Sequence, residues 1–361
     1  MGGRTHLNFS SNDYLGLASH PALKEAAIKV VEKFGAGSGA SRLICGSLAP
    51  FHELEASLAS LKQTEAALTF STGYAAAVGT ITALMGKGDV IIIDKLVHAC
   101  IVDAAKLSGA KLRVLAHNDL EDLEDKLKWA TTQAKTSTTD AVHPSILVVT
   151  EGVFSMDGDA APLREIVELK DKYGAWLMVD EAHSTGVVGP NGRGLANELR
   201  VGSRVEIQMG TLGKAVGASG GFICGRRALI DYLVNRARSF VFSTAPVPAA
   251  AAAANAGIQI IQSAEGDTRR TALRQRILEL QKALNLEPRP VPAAIIPMIL
   301  GEEKRAVQAA AKLREQNIFV PAIRYPTVAR GAARLRITLT AAHSAADVAT
   351  LANALQPIIN R

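Results

Sequence analysis

The sequence alternates short apolar runs with helical stretches from about residue 65 onward, and this alternation restricts the fold more than any other feature. Most of the runs are rich in β-branched residues and apolar throughout, which is typical of strands buried on both faces of a sheet. The predicted strands are Ala66–Phe70, Val90–Ile93, Ile146–Val149, Trp176–Val179, Val205–Met209 and Gly221–Cys224. Helical stretches such as Asp119–Trp129 and Leu163–Tyr173 separate them. The pattern predicts an α/β fold with a mainly parallel sheet between helices.

The C-terminal part of the chain has a different order of elements, which predicts a second, smaller α+β domain. Its predicted elements are a helix over 269–284, a proline-bearing loop over 286–292, strands over 295–300, 319–324 and 335–340, a helix over 304–316 and a final helix from Ala345. We therefore divide the chain into an N-terminal segment (residues 1–20), a large domain (21–264) and a small domain (265–361). The polar, threonine-rich segment 131–144 is predicted to be a surface loop.

Composition and charge argue against several classes of protein. The net charge is +6, but the basic residues are interspersed with 34 acidic ones and form no basic arm, so we expect no nucleic-acid partner. Cys45, Cys100 and Cys224 form no CxxC pair, which argues against a disulfide framework or a zinc site and fits a reducing cytoplasm. The alanine-rich stretch Ala249–Ala254 is followed by polar residues, so we interpret it as a packed helix and expect no membrane partner. The first residues show no signal-peptide core.

The candidate functional residues follow the predicted strands. In open α/β sheets, ligands bind beyond the carboxyl ends of the strands. Residues 71–74 (Ser-Thr-Gly-Tyr) follow one strand and open a helix, whose N–H groups can bind an anion. Asp180 and His183 follow a second strand, and Lys214 follows a third. A pair of metal ligands is the weaker interpretation of Asp180 and His183, because no third ligand lies nearby, and we predict no metal.

Lys214 lies among small and apolar residues, and desolvation is expected to lower its pKa. A neutral amine can attack an aldehyde and form an imine. The alternative is a surface lysine whose ammonium group reaches water. Taken alone, each candidate has an ordinary explanation, such as a helix cap or a turn. Together, an anion site, an acid for a ring nitrogen and an imine-forming lysine are what pyridoxal phosphate requires, so we predict that cofactor.

Five longer segments of the sequence resemble the α-oxoamine synthases, fold-type I pyridoxal phosphate enzymes that condense an amino acid with an acyl-CoA thioester and release CO2. The segments are SSNDYLGLA (10–18), GSGASRLICG (37–46), TEGVFSMDGD (150–159), VDEAHSTGVVGPNGRG (179–194) and TLGKAVGASGG (211–221). Residues 238–248 and 322–343 are most similar to members that use L-alanine; members that use glycine or serine are the alternatives. The resemblance implies a homodimer that acts on L-alanine and either pimeloyl-CoA or pimeloyl-ACP.

The resemblance also implies a role for individual residues. Lys214 would hold the cofactor as a Schiff base and then remove the alanine Cα proton. Asp180 would pair with the pyridine nitrogen, and His98 would stack on the ring; with His183 these complete the implied catalytic set. The other implied cofactor ligands are Gly73, Tyr74, Ser155, His183 and Thr211, joined by Ser243 or Thr244 from a second subunit. The implied substrate-binding residues are Arg336, which would hold the amino acid carboxylate, with Asn12 and Thr327.

Family members usually begin earlier than this chain, which starts almost at the SSNDYLGLA segment, so residues 1–20 are expected to form a shortened N-terminal segment. A dinucleotide-dependent dehydrogenase is rejected, because the glycines of residues 35–39 follow a helix-like stretch instead of a strand. The non-enzyme alternative is a scaffold that keeps the fold without the chemistry. The presence of Lys214, Asp180 and His98 together argues against it.

Overall fold

The computed structural model describes residues 3–136 and 145–359. The strands of this part of the chain are β1 (Leu7–Asn8), β2 (Ala66–Phe70), β3 (Val90–Asp94), β4 (Lys111–Leu115), β5 (Ile146–Glu151), β6 (Trp176–Asp180), β7 (Ile207–Thr211), β8 (Gly221–Gly225), β9 (Ile295–Gly301), β10 (Ile318–Phe319), β11 (Ala322–Ile323) and β12 (Ala333–Thr338). The central sheet has the order β2-β8-β7-β6-β5-β3-β4. β8 runs antiparallel to both of its neighbours, and the strands from β7 to β4 are parallel. The predicted α/β fold with a mainly parallel sheet is confirmed.

Helices flank the central sheet and connect its strands. Their bounds are α1 (Pro21–Phe34), α2 (Ala49–Lys62), α3 (Gly73–Leu84), α4 (Ala99–Ser108), α5 (Leu120–Thr136), α6 (Leu163–Lys172), α7 (Leu195–Glu198), α8 (Arg227–Arg236), α9 (Arg238–Val241), α10 (Pro248–Ile261), α11 (Ala264–Ala283), α12 (Glu303–Glu315) and α13 (Ala345–Ile359). α3 packs against α4, and α10 packs against α1 and α2. In the two described ranges, no helix combines the length and apolar character needed to cross a bilayer.

The central sheet is buried because its strands are apolar on both faces. Every residue of β2, β3, β5 and β8 is buried. Since β3, β5, β6 and β7 are parallel, their carboxyl ends meet at one edge of the sheet. This edge is where the residues that follow the strands come together.

One strand was missed, and several predicted elements have different bounds in the structure. The strand predicted over 319–324 is divided into β10 and β11, and the helix predicted over 269–284 begins at Ala264. β4 was missed because it is an edge strand with charged residues and partly exposed positions, so it shows no continuous apolar run. β7 begins at Ile207, not Val205, because residues 202–204 form a 3₁₀ turn. Helix α5 continues to Thr136, so the first part of the loop predicted over 131–144 is helical. The hydroxyl groups of Thr131 and Thr132 donate to the carbonyls four residues earlier, at 2.9 and 3.0 Å, which accommodates them in a helix. Residues 137–144 lie outside the described part.

The C-terminal part contains a second sheet of the order β11-β12-β9, in which neighbouring strands are antiparallel. Helix α12 packs against this sheet. The predicted loop over 286–292 contains no helix or strand. β1 pairs in parallel with β10, so the N-terminal segment contacts the C-terminal part. The predicted domain boundary between residues 264 and 265 falls at the start of α11 and stays a prediction.

Candidate active site

Lys214 and His183 meet at the carboxyl edge of the central sheet. Lys214 lies in the turn after β7, His183 follows β6, and Lys214 Nζ is 2.8 Å from His183 Nε2. Burial lowers the pKa of Lys214, while the charges of Asp180 and Glu151 oppose that effect. A lowered pKa increases the fraction of neutral amine, which is the form that attacks an aldehyde or accepts a proton.

Two buried carboxyl groups lie side by side next to Lys214. Asp180 and Glu151 are the last residues of β6 and β5 and are partners in the register of these strands. Asp180 Oδ1 accepts a hydrogen bond from the Ala182 N–H at 2.9 Å, and Glu151 Oε1 accepts one from the His98 N–H at 2.5 Å. Burial raises the pKa of both carboxyl groups, that of Glu151 to about 8. A ligand cation at this position would stabilise their charged forms, which fits a protonated pyridine nitrogen.

Glu151 was not among the predicted site residues. It ends a strand that is buried throughout, and Asp180 ends a strand that is buried after its first residue. An acidic residue at the end of an apolar strand was the signal that identified Asp180, and the same signal would have found Glu151.

Arg336 projects from β12 toward the same site and is almost fully buried. Its Nε donates to the Ser155 carbonyl at 2.7 Å, and its Nη1 donates to Thr338 Oγ1 at 2.9 Å. Nη1 and Nη2 each lie 3.3 Å from Asn12 Oδ1. The first two bonds fix the guanidinium plane. The two long bonds to a neutral amide are weaker than a charged carboxylate could make, so a substrate carboxylate can replace them.

A hydrogen-bonded series of side chains links Arg336 to Lys214. Tyr14 Oη lies 3.2 Å from Asn12 Oδ1 and 2.5 Å from His183 Nδ1. His183 in turn contacts Lys214. The sequence did not single out Tyr14, because 169 residues separate it from His183 and no local spacing relates the two.

The start of α3 lies beside the end of β7. The Thr72 hydroxyl caps this helix by accepting a hydrogen bond from the Ala75 N–H at 3.0 Å. A methyl group placed on Gly73 would lie 3.8 Å from Thr211 Cβ. Thr211 Oγ1 itself donates to the Gly220 carbonyl at 3.0 Å. The free N–H groups of the helix and the Thr211 side chain therefore border one place, which fits a phosphate group if the Thr211 hydroxyl turns its proton from Gly220 to the phosphate.

Replacing Gly221 with Ala is expected to weaken phosphate binding. Gly221 lies under the start of α3, and a Cβ there would be 2.4 Å from the Thr72 carbonyl oxygen and 2.6 Å from Gly73 N. The helix start must shift, so the dissociation constant of pyridoxal phosphate should rise about 10- to 100-fold. An absorbance titration measures it, with Gly86→Ala, where a Cβ meets nothing within 4 Å, as the matched control. Equal affinities of the two variants would contradict the expectation.

His98 and Tyr74 lie around the same edge. His98 precedes α4, and its Nδ1 accepts a hydrogen bond from the Cys100 N–H at 3.3 Å. Burial and the charge of Lys214 lower the pKa of His98, whereas the charge of Asp180 raises it. The hydroxyl of Tyr74 donates to Asp103 Oδ2 on α4 at 2.9 Å. The ring of His98 is thus near the two residues whose charges would flank a cofactor, while the Tyr74 side chain is bound to α4.

The structure does not bring three further predicted residues into the hydrogen-bonded series of this centre. Ser243 and Thr244 line a small cavity with Arg42 and Ser71 of the same chain, at the end of β2. Their predicted contribution from a second subunit stays a prediction. Thr327 is exposed in the turn that follows β11, and its N–H donates to the Arg324 carbonyl at 2.9 Å.

His117 ties the segment that carries Ser155 to the central sheet. Its Nδ1 lies 2.9 Å from Asp94 Oδ1 at the end of β3, and its Nε2 lies 2.7 Å from Asp159 Oδ2. The ring also packs edge-on against Phe154 at a centroid distance of 4.5 Å. Burial lowers the pKa of His117, but the hydrogen bonds to Asp159 and Asp94 outweigh it and raise the pKa to about 10.

This raised pKa predicts a pH-dependent contribution to stability. In the unfolded chain a histidine has a pKa of about 6.5. The stabilisation by His117 should therefore be complete below that pH and should disappear as the pH rises toward 10. We expect the native protein to have a higher free energy of unfolding in urea than His117→Gln at pH 6. This difference should become smaller as the pH rises to 10. A difference that increases with pH would contradict the prediction that protonated His117 stabilises the fold.

The chain is similar to known proteins over nearly its whole length. Residues 4–355 match the model of the family "Aminotransferase class I and II". An 8-amino-7-oxononanoate synthase of Anaeromyxobacter dehalogenans is 49% identical over 362 residues, which cover 99% of this chain and 88% of that protein. The same name belongs to a relative from Herminiimonas arsenicoxydans that is 46% identical over 98% of this chain and 90% of its own length.

Solved structures of two enzymes are similar to the whole chain. The serine palmitoyltransferase of Sphingomonas wittichii has a TM-score of 0.91 at 32% identity and covers 99% of this chain and 88% of its own. The 8-amino-7-oxononanoate synthase of Francisella tularensis has a TM-score of 0.81 at 31% identity and covers 98% of this chain and 97% of its own. The backbone likeness favours the first enzyme, but sequence identities of 43–50% to the second enzyme in other bacteria decide between them. One serine palmitoyltransferase structure contains pyridoxal phosphate as an internal aldimine, at a TM-score of 0.91 and 30% identity.

The family is therefore settled by both sequence and structure. The family match spans nearly the whole chain, and the relatives at 43–50% identity share one name. The chain belongs to the aminotransferase class I and II family and, within it, to the pyridoxal phosphate-dependent 8-amino-7-oxononanoate synthases.

Proposed function

We propose that this chain condenses L-alanine with a pimeloyl thioester and releases 8-amino-7-oxononanoate, CO2 and the free thiol, as a step of biotin synthesis. In this reaction the alanine Cα loses a proton, a bond forms between Cα and the thioester carbon, and the carbon–sulfur bond breaks. The bond between Cα and the carboxyl carbon breaks as CO2 leaves, and Cα takes up a proton in its place. The observation that carries the proposal is the convergence of Lys214, Asp180 and Arg336 at one edge of the sheet in a chain with these relatives.

The cofactor needs three kinds of contact, and the described residues offer all three. The N–H groups at the start of α3 and the Thr211 hydroxyl would hold the phosphate, and Asp180 would pair with the ring nitrogen. His98 would cover one face of the ring. When bound, pyridoxal phosphate supplies an aldehyde carbon for the amine and a cationic ring that accepts the electron pair left at Cα.

Lys214 is the base of the proposed reaction. Its neutral amine would accept the proton from the alanine Cα, because burial lowers the pKa of its ammonium form. His183 contacts the amine at 2.8 Å and would keep Nζ oriented during the transfer. Arg336 would bind the alanine carboxylate in place of Asn12, and its bonds to Ser155 and Thr338 would keep that carboxylate in position.

The proposal also covers the oligomeric state, the acyl substrate and the location of the protein. We propose that two copies form a homodimer, in which Ser243 or Thr244 of one subunit helps to bind the phosphate in the other. Thr327, in the turn beyond β11, would lie near the acyl substrate. The acyl carrier would be either CoA or ACP. We also propose a cytoplasmic location, which the unpaired cysteines support.

A substrate comparison tests the proposed function. The purified protein is supplied with pyridoxal phosphate, pimeloyl-CoA and, in separate reactions, L-alanine, glycine or L-serine, and the release of thiol and CO2 is followed. We expect equal amounts of both products with alanine and a kcat/KM at least about tenfold above that of glycine, because a binding site for a methyl group gives discrimination of this size. Preference for glycine would favour 5-aminolevulinate synthase or 2-amino-3-oxobutyrate CoA ligase activity, preference for serine would favour serine palmitoyltransferase activity, and no turnover would favour a scaffold.

A further inference from the structure

Tyr14 lies inside the protein behind His183, on the side away from Lys214. Its side chain is fully buried. Its hydroxyl has two possible hydrogen-bond acceptors, His183 Nδ1 at 2.5 Å and Asn12 Oδ1 at 3.2 Å. A phenol has one proton, so the neighbours decide which of them receives it.

The contacts around Tyr14 favour His183 Nδ1 as the acceptor of the phenol proton. Burial raises the pKa of Tyr14 to about 12, although Arg336 opposes the effect, so the hydroxyl stays protonated near neutral pH. Asn12 Oδ1 has two lone pairs, and Nη1 and Nη2 of Arg336 both donate to it. His183 Nδ1 is therefore both the nearer acceptor and the one that no other donor occupies.

This proton fixes the tautomer of His183. A neutral imidazole has one N–H and one bare nitrogen. Burial and the charges of Lys214, Arg336 and His98 lower the pKa of His183 well below its ordinary value, so the ring is neutral. Because Nδ1 accepts from Tyr14, the ring proton lies on Nε2, the nitrogen that faces Lys214 Nζ at 2.8 Å.

We propose that Tyr14 is a positioning residue that holds His183 in its Nε2–H form, so that a hydrogen-bond donor faces Lys214 and the group bound there. A donor at this place stabilises the neutral amine of Lys214, whereas a bare nitrogen would stabilise its ammonium form. The catalytic meaning of this arrangement rests on the proposed function, but the tautomer itself does not.

Other ionisable groups also shift the pKa of Lys214, and replacing Tyr14 leaves them in the protein. Asp180, Glu151 and Cys100 raise the pKa of its amine, and Arg336 lowers it. Tyr14→Phe removes one hydroxyl and leaves all of these groups in place. A change in the pKa of Lys214 in this variant then reports the loss of the hydroxyl, and the His183→Gln background shows whether the effect passes through His183.

The first test needs no substitution at Tyr14. The full-length protein is labelled with ¹⁵N-histidine, the cofactor is left out, and the signals of His183 are assigned by comparison with His183→Gln. We expect an unprotonated Nδ1 and a protonated Nε2. A protonated Nδ1 would overturn the proposal, whatever the reaction that the enzyme catalyses.

The second test measures the pKa of Lys214 by trace acetylation of the same cofactor-free protein across pH, read by peptide mass spectrometry. Tyr14→Phe should raise this pKa by about half to one unit, the size of one net hydrogen bond. Tyr173→Phe, which removes a hydroxyl bound to Glu124 at 2.9 Å, should leave it unchanged.

A double variant shows whether Tyr14 acts through His183. In the His183→Gln background, Tyr14→Phe should cause no further shift of the Lys214 pKa. An unchanged pKa in the single variant, or an equal shift in both backgrounds, would overturn the proposal. Because no substrate or cofactor is present, a failure here is distinct from a failure of the proposed function.

Discussion

Lys214→Ala is expected to lower kcat for thiol and CO2 release from L-alanine and pimeloyl-CoA by about 10³-fold or more. General acid–base catalysis alone contributes about 10²- to 10⁴-fold, and Lys214 would also provide the amine that attaches the cofactor. An alanine side chain at position 214 provides neither the amine nor the base. Steady-state assays with saturating pyridoxal phosphate measure the loss.

The control for this variant is a lysine of the same chain outside the site. Lys282 is exposed near the end of α11, and Lys282→Ala should keep the activity of the native protein. Circular dichroism should show that Lys214→Ala keeps its fold, because the turn after β7 does not depend on this side chain for core packing. Activity of Lys214→Ala within tenfold of the native value would contradict the assigned role.

Lys62→Met is expected to lower the free energy of unfolding by about 3–5 kcal/mol. Lys62 and Glu181 form an ion pair in which neither side chain is exposed. Lys62 Nζ also donates to the Arg193 carbonyl at 2.6 Å, and Glu181 Oε1 accepts from the Ala196 N–H at 2.9 Å. Removing the lysine leaves a buried carboxylate without its cation, which costs much more than the loss of a surface pair.

Urea unfolding of three variants tests this ion pair. Lys62→Met combined with Glu181→Gln should be more stable than Lys62→Met alone, because glutamine keeps the acceptor for Ala196 without a charge. Lys29→Met breaks the exposed pair with Glu25 and should change the unfolding midpoint little. Equal stability of the two single variants would contradict the account. Since Glu181 follows Asp180 directly, the ion pair also supports the segment that carries Asp180 and His183.

The sequence predicted the interior of the sheet well, because buried strands must be apolar on both faces. Ala66–Phe70 was placed to the residue, and the strands that end at Asp94, Glu151 and Asp180 were placed within two residues. Placing those strands also placed Lys214 and Asp180 near each other, since the ends of parallel strands share one edge. β4 could not be found in this way, because an edge strand needs no continuous apolar run.

Contacts between distant segments account for what the sequence did not predict. Tyr14 reaches His183 only because β1 and the residues after it are held against the C-terminal part of the chain. His117 follows the missed strand β4, so its place between Asp94 and Asp159 was equally hidden. Glu151 is different, since the signal was present at the end of a predicted strand and was not used.

The most direct test of the central claim is to locate the cofactor on the chain. The protein is incubated with pyridoxal phosphate, treated with borohydride and digested, and the peptides are analysed by mass spectrometry. We expect the reduced cofactor to be attached at Lys214 and Lys282→Ala to be labelled to the same extent as the native protein. Attachment at another lysine, or no attachment at all, would show that Lys214 does not hold the cofactor.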